Sequence, residues 1–344
     1  MKIKRLITLA MLTALLLCGC SANNREEESI TILAADFAEY DWVREILGSN
    51  PAGIELQRLN ETGADMHSYQ PSVEDMVKIA DCNLLIYAGG ESEFWIDEAA
   101  ESSDKSPESI LSLMEVLAHD PELSKRYEGT AGVHDHEHEH HHDDEGEDED
   151  GHDHYEEYDE HLWLSLKASP VFIENITEAI CSLDPVNRTY YEKNSRIYIE
   201  KIKALDGEYE KVTAAARENG NAFILVADRF PFVYLTEDYH LSHLAAFPGC
   251  SAETEASFAT ILDLSDAIDR HSPGGILVLK KSDTALAQTV IKNSSLKELP
   301  VLRLDDMQSV TADDIESGCS FLSIMEENLT ALETALGIYT DINR

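Results

Sequence analysis

From Ser29 onward, short apolar runs alternate with stretches in which apolar residues recur every three or four positions. "SITILAA", "GIELQRL" and "NLLIYAGG" read as strands, and "EYDWVREILG" and "SVEDMVKIADC" between them read as amphipathic helices. Such alternation predicts a parallel sheet covered by helices. The scheme returns in the C-terminal half with "AFILVAD", "FVYLTEDY", "ASFATILDLSDAIDRH", "GGILVLK" and "PVLRLD". The expected fold class is α/β, with two α/β lobes that each carry a mainly parallel sheet. Between the halves, Asp184 is a candidate N-cap and Pro185 suits a first helical position. Val186, Tyr190, Tyr198, Ile202, Leu205, Tyr209 and Val212 then form an apolar stripe. A helix from there to about Glu218 would run roughly 50 Å and serve as a strut between the lobes. A coiled-coil dimer is the competing reading; the short stripe, flanked by α/β sequence, favours a monomer.

Ahead of this body, Lys2, Lys4 and Arg5 precede the apolar run Leu6 to Leu17, which is short for a membrane span and reads as an export signal. Its end, "LCGC", resembles the lipobox of bacterial lipoproteins, in which cleavage precedes a cysteine, here Cys20, that is then lipidated; an ordinary secretory signal is the other reading. The expected organisation is a signal peptide at 1–19, a tether at 20–28 and an N-terminal lobe at 29–168 containing a disordered loop at 134–160. A helical connection at 169–218 and a C-terminal lobe at 219–344 follow. The protein is expected outside the cytoplasm, touching the membrane only through its lipid.

A formal charge of −41 excludes nucleic acid as a natural partner and favours cations. Nine of the 14 histidines lie in "HDHEHEHHHDDEGEDEDGHDHYEEYDEH", His134 to His161, with fifteen acidic residues and no Lys or Arg. So polar a segment cannot bury enough apolar surface to offset the entropy of ordering it. Its expected purpose is to bind metal weakly through His134, His136, His138, His140, His141, His142, His152 and His154. Imidazole and carboxylate donors suit zinc, with cobalt, nickel and copper as competitors and manganese less favoured.

A defined site needs ligands on rigid elements. His67 in "GADMHSYQPS" and His161 in "DEHLWLS" are the two candidates. His119, His240, His243 and His271 are scattered and assigned to surface or core; His240 and His243 could pair only on a helix, and a bend is expected there. Cys250 and Cys319 could pair within the C-terminal half, or these cysteines, with Cys82 and Cys181, could be buried thiols. GxSxG does not occur, and the HExxH spacing arises only within the repetitive histidine run; Glu253 and Glu255 in "GCSAETEAS" read as groups of a cleft wall or helix cap.

Together, "GADMHSYQPS", the histidine run and "DEHLWLSLKAS" resemble, in the same order, the solute-binding lipoproteins of zinc and manganese ABC transporters, whose zinc members carry a histidine-rich insertion. The resemblance continues through "LDPVNRTYYEKNSRIYIEKIKALD" and "SIMEENLTALETAL" and covers essentially everything after the tether. It implies two lobes bridged by one long helix, with metal in the cleft between them and His67 and His161 as ligands. The remaining ligands do not match cleanly. "RFPFVYLTEDYHL" puts Arg229 at the family's third position, where a guanidinium cannot coordinate a cation, so Asp228 is the candidate. "LRLDDMQSVT" puts Gln308 at the fourth, with Asp305 and Asp306 beside it. The implied function is capture of Zn2+, with Mn2+ less favoured, and delivery to an ABC permease with its ATPase. A secreted zinc-dependent hydrolase and a surface metal buffer or adhesin are the other classes considered.

Overall fold

The computed structural model describes residues 29–127, 158–249 and 255–338. Cys20, the signal and tether, the eight histidines from His134 to His154, Cys250 and Glu253 lie outside them. The first half runs β1 (Thr31–Ala34), α1 (Phe37–Leu47), β2 (Glu55–Arg58), α2 (Val73–Asp81), β3 (Leu84–Tyr87), α3 (Phe94–Ser102), β4 (Ile110–Ser112), α4 (Leu113–His119) and α5 (Pro121–Arg126). Two helices follow, α6 (Ser169–Leu183) and α7 (Arg188–Glu218). The second half runs β5 (Phe223–Phe230), α8 (Val233–Tyr239), β6 (Ser242–Pro248), α9 (Phe258–His271), β7 (Ile276–Leu279), α10 (Ala285–Asn293), β8 (Val301–Leu304), α11 (Ala312–Glu316) and α12 (Phe321–Ala335).

The sheets are parallel throughout, in the orders β2-β1-β3-β4 and β6-β5-β7-β8. Because each chain path leaves the first strand in one direction and returns on its other side, each sheet has a switch point between its first and third strands, where open α/β sheets bind ligands beyond the carboxyl ends. β1 and β3 are buried on both faces or nearly so, which is why their sequence shows a continuous apolar run instead of alternation.

One hydrophobic core crosses both halves, with residues from Ile32 through α6 and α7 to Ile338. Trp42 of α1 stacks on Phe172 of α6 at 6.2 Å and meets Phe321 of α12 edge-on at 5.2 Å. Asp41 of α1 ties it to α12 and α7 by accepting from Phe321 N at 2.9 Å and Tyr198 Oη at 3.3 Å. The outer faces of the two sheets have separate cores, around Ile79 and Ile96 in the first half and Leu264 and Ile291 in the second.

The long helix is present, with its start displaced from the expected one. Pro185–Asn187 forms a 3-10 turn, and the α-helix begins at Arg188 and continues for 31 residues, about 46 Å at 1.5 Å per residue. Asp184 does not cap it; its carboxylate accepts from Asn187 Nδ2 and Tyr191 Oη and seals the turn. Val186 is consequently 90% exposed, and Tyr191 is buried in the helix's first turns where Tyr190 was expected.

Candidate metal centre

His67 stands in the loop after β2, at a short 3-10 turn, Met66–Ser68. Asn60 holds the loop closed, donating to Ala64 O at 2.7 Å and accepting from Ala64 N at 2.9 Å. Gly63 is in the left-handed region (φ +66°), and a Cβ there would lie 2.6 Å from Ser309 O, so only glycine lets the loop lie so close to the second half. Asp65 caps the turn: its Oδ1 accepts from His67 N at 3.1 Å and faces His67 Nδ1 at 3.0 Å.

The same device recurs at His161. Asp159 Oδ1 accepts from His161 N at 2.9 Å and faces Nδ1 at 2.8 Å. Tyr234 Oη donates to Asp159 O at 2.6 Å, and Trp163 Nε1 donates to Asp306 O at 2.9 Å. In both cases a carboxylate two residues upstream accepts a hydrogen bond from Nδ1–H, which leaves Nε2 as the ring atom that can coordinate. The rings lie 5.4 Å apart, inclined by 19°. His161 is fully buried, and its Nε2 has no hydrogen-bond partner among the described residues; burying such an atom is costly unless something binds it.

Glu160 completes the group. Its Oε1 lies 2.8 Å from His67 Nε2 and accepts from Ser92 Oγ at 2.6 Å, and its Oε2 accepts from Ser92 N at 2.9 Å. Gly90, at φ +98°, makes room, since a Cβ there would lie 2.8 Å from Glu160 Cβ. Burial pushes the Glu160 carboxyl up, but the contact with His67, the nearness of His161 and the Ser92 hydroxyl outweigh it and bring the pKa down to about 2. A proton on His67 Nε2 satisfies the contact with Glu160, and a metal ion competes with that proton for the same lone pair. One atom from each of His67, Glu160 and His161 falls within 4.8 Å of the others, a span that one ion can bridge.

Asp228 and Asp305 are not brought into this group. Asp228 spends both oxygens on backbone, accepting from Arg229 N at 2.9 Å and Leu279 N at 3.0 Å. Asp305 accepts from Met307 N at 2.9 Å and pairs with Lys280 Nζ at 2.8 Å. Gln308 is buried. Asp306 is the nearer acid: burial first, then Asp305, push it up to about 6, while His161 and Arg229 pull it down. Arg229 ligates nothing and instead pairs with Asp65 Oδ2. Against the upward push of burial, His67 and Arg229 hold Asp65 well below the usual carboxylate range. The bend expected between His240 and His243 is present: His240 is left-handed at φ 54°, and His243, on β6, stacks on Phe230 at 3.9 Å. Cys82, Cys181 and Cys319 are free thiols.

Sequence reasoning missed Glu160, Asp65 and Asp159. The Asp-x-His spacing shared by "DMH" and "DEH" was the available signal for the last two. Glu160 had none, because it is one of fifteen acidic residues in its run.

Residues 32–335 match the family model for the zinc-uptake complex component A, periplasmic (ZnuA). The zinc-binding lipoprotein AdcA of Streptococcus pneumoniae is 28% identical over 327 residues, covering 95% of this chain and 60% of the relative. The high-affinity zinc uptake system protein ZnuA of Bacillus subtilis is 26% identical over 323 residues, covering 93% and 92%. Thus the chain spans about 60% of the length of the AdcA relatives it matches. The crystal structure of Zn(II)-bound AdcA from S. pneumoniae shares the fold at TM-score 0.67 and 23% identity, covering 90% of this chain and 58% of that one. That of the metal-dependent lipoprotein YcdH from B. subtilis does so at 0.68 and 21%, covering 90% and 100%.

Proposed function

This chain belongs to the ZnuA family of zinc-uptake components, and from that premise we propose that it is the extracytoplasmic receptor that captures Zn2+ for an ABC permease and its ATPase. The observation that carries the reading is the convergence of His67, Glu160 and His161 within 4.8 Å, with both Nδ1 atoms tied to carboxylates. Two imidazoles and one carboxylate suit zinc better than manganese or magnesium, which prefer more oxygen. The ion is cargo, and His67, Glu160 and His161 are the residues that would hold it. The segment from His134 to His154 gathers ions at low affinity and raises their local concentration. Cys20 carries the lipid that keeps the receptor at the membrane. The role is binding without catalysis.

Calorimetric titration with Zn2+ tests this. The full chain should show one tight equivalent plus weaker ones, and deletion of 134–154 should remove the weaker ones alone. Exchange of His67 and His161 together for Ala should abolish the tight equivalent. Tight binding that survives the double exchange overturns the assignment.

A further inference from the structure

All three residues of the metal centre precede α6, yet a side chain from beyond α7 reaches into their support. Arg229, near the end of β5, pairs through its guanidinium with Asp65 Oδ2, while Asp65 Oδ1 holds His67 Nδ1. The two Asp-x-His devices therefore differ in one respect. Asp159 is 7% exposed and its backbone oxygen is held by Tyr234, whereas Asp65 is 28% exposed. The exposed carboxylate is the one that receives a second tie.

The placement of Arg229 is itself built. The pairing of β5 with β6 is in register from Phe223 to Val226, then shifts before resuming at Arg229 opposite Phe247. Bulges of this kind re-aim a side chain beside a site. Asp228 holds the irregularity in place, one oxygen on Arg229 N and the other on Leu279 N of β7. A carboxylate that looks like a ligand in the sequence is thus part of the mount for the arginine.

We propose that Arg229 is a positioning residue of the metal centre, pinning Asp65 across the crevice and, through Asp65, holding the His67 ring with its Nε2 aimed at the metal. This rests on the receptor reading above. The proposal makes a prediction opposite in sign to plain electrostatics. A guanidinium near a divalent cation repels it, so removing the charge should tighten binding if Arg229 did no more than contribute charge. Positioning demands the reverse.

Zn2+ affinity of the full chain, measured by competition with a chromophoric chelator, separates the two. Arg229→Ala is expected to weaken binding about tenfold, within the range typical of groups that orient metal ligands. Arg229→Lys, which keeps the charge and can still reach a carboxylate, should recover part of the loss. Asp65→Ala combined with Arg229→Ala should bind no more weakly than Asp65→Ala alone, because the arginine acts only through that carboxylate. Binding by Arg229→Ala as tight as or tighter than wild type overturns the proposal, as does a double variant whose losses add. If wild type shows no tight equivalent, or keeps it without His67 and His161, the receptor reading itself fails and takes the proposal with it.

Discussion

At the scale of single residues, the chemistry is set less by the imidazoles than by the carboxylates behind them. An imidazole whose Nδ1 proton is held by Asp159 presents one lone pair in one direction; without that acceptor the ring can rotate or exchange tautomers. Asp159→Ala should therefore lower Zn2+ affinity by roughly 10- to 100-fold while leaving far-UV circular dichroism unchanged; a chelator competition assay reads the loss, and unchanged affinity would count against the orienting role. These residues also show what a sequence can convey. His67 and His161 were legible because one follows a predicted strand, the other closes the acidic run where apolar residues resume, and both segments resemble the family's motifs. Asp228 and Asp305 looked equally suitable as ligands, but the groups that occupy their oxygens are mostly backbone N–H donors of Arg229, Leu279 and Met307. Every residue except proline carries such a donor, so no pattern of side chains announces where it points.

At the scale of elements, the contact of α1, α6 and α12 around Trp42 determines whether the halves hold together. Trp42 is fully buried between Phe172 and Phe321. Trp42→Ala should cost about 3–5 kcal/mol of unfolding free energy, in line with other large-to-small changes in cores; urea denaturation measures it, and a loss below about 1 kcal/mol would show that the junction tolerates a void. The elements themselves were readable because their periods differ: continuous apolar runs marked the buried strands, and a stripe at helical spacing marked α7. The start of α7 was misplaced because Pro185 is compatible with both a 3-10 turn and an α-helix. What decides between them is the hydrogen bonding of Asp184 to Asn187 and Tyr191, a tertiary arrangement that appears only once the chain is folded.

At the scale of the whole molecule, buried acids lie behind the metal centre. Asp36, Glu39 and Glu93 are nearly or wholly inaccessible, and burial raises all three, with mutual repulsion adding to Asp36 and Glu93. For Glu39 the rise is from 4.5 to about 7. A carboxyl whose folded pKa is raised binds more protons in the folded state than in the unfolded one between those two values. Stability is then greatest below about 4.5 for this group and falls as pH rises toward 7, by on the order of 3 kcal/mol in all. Melting temperatures of metal-free protein at pH 5 and pH 8 should show the acid side favoured, and Glu39→Gln should narrow the difference; an unchanged difference would remove Glu39 as its source.

The single core shared by both halves has a further bearing on transport. With Trp42, Phe172 and Phe321 interlocked at the base and α7 running the length of the junction, wide swinging of the halves would have to tear apart close-packed side chains. In the receptor role proposed above, a permease that tells a loaded chain from an empty one would then read fine relief near the centre, such as the set of a loop or the turn of a ring.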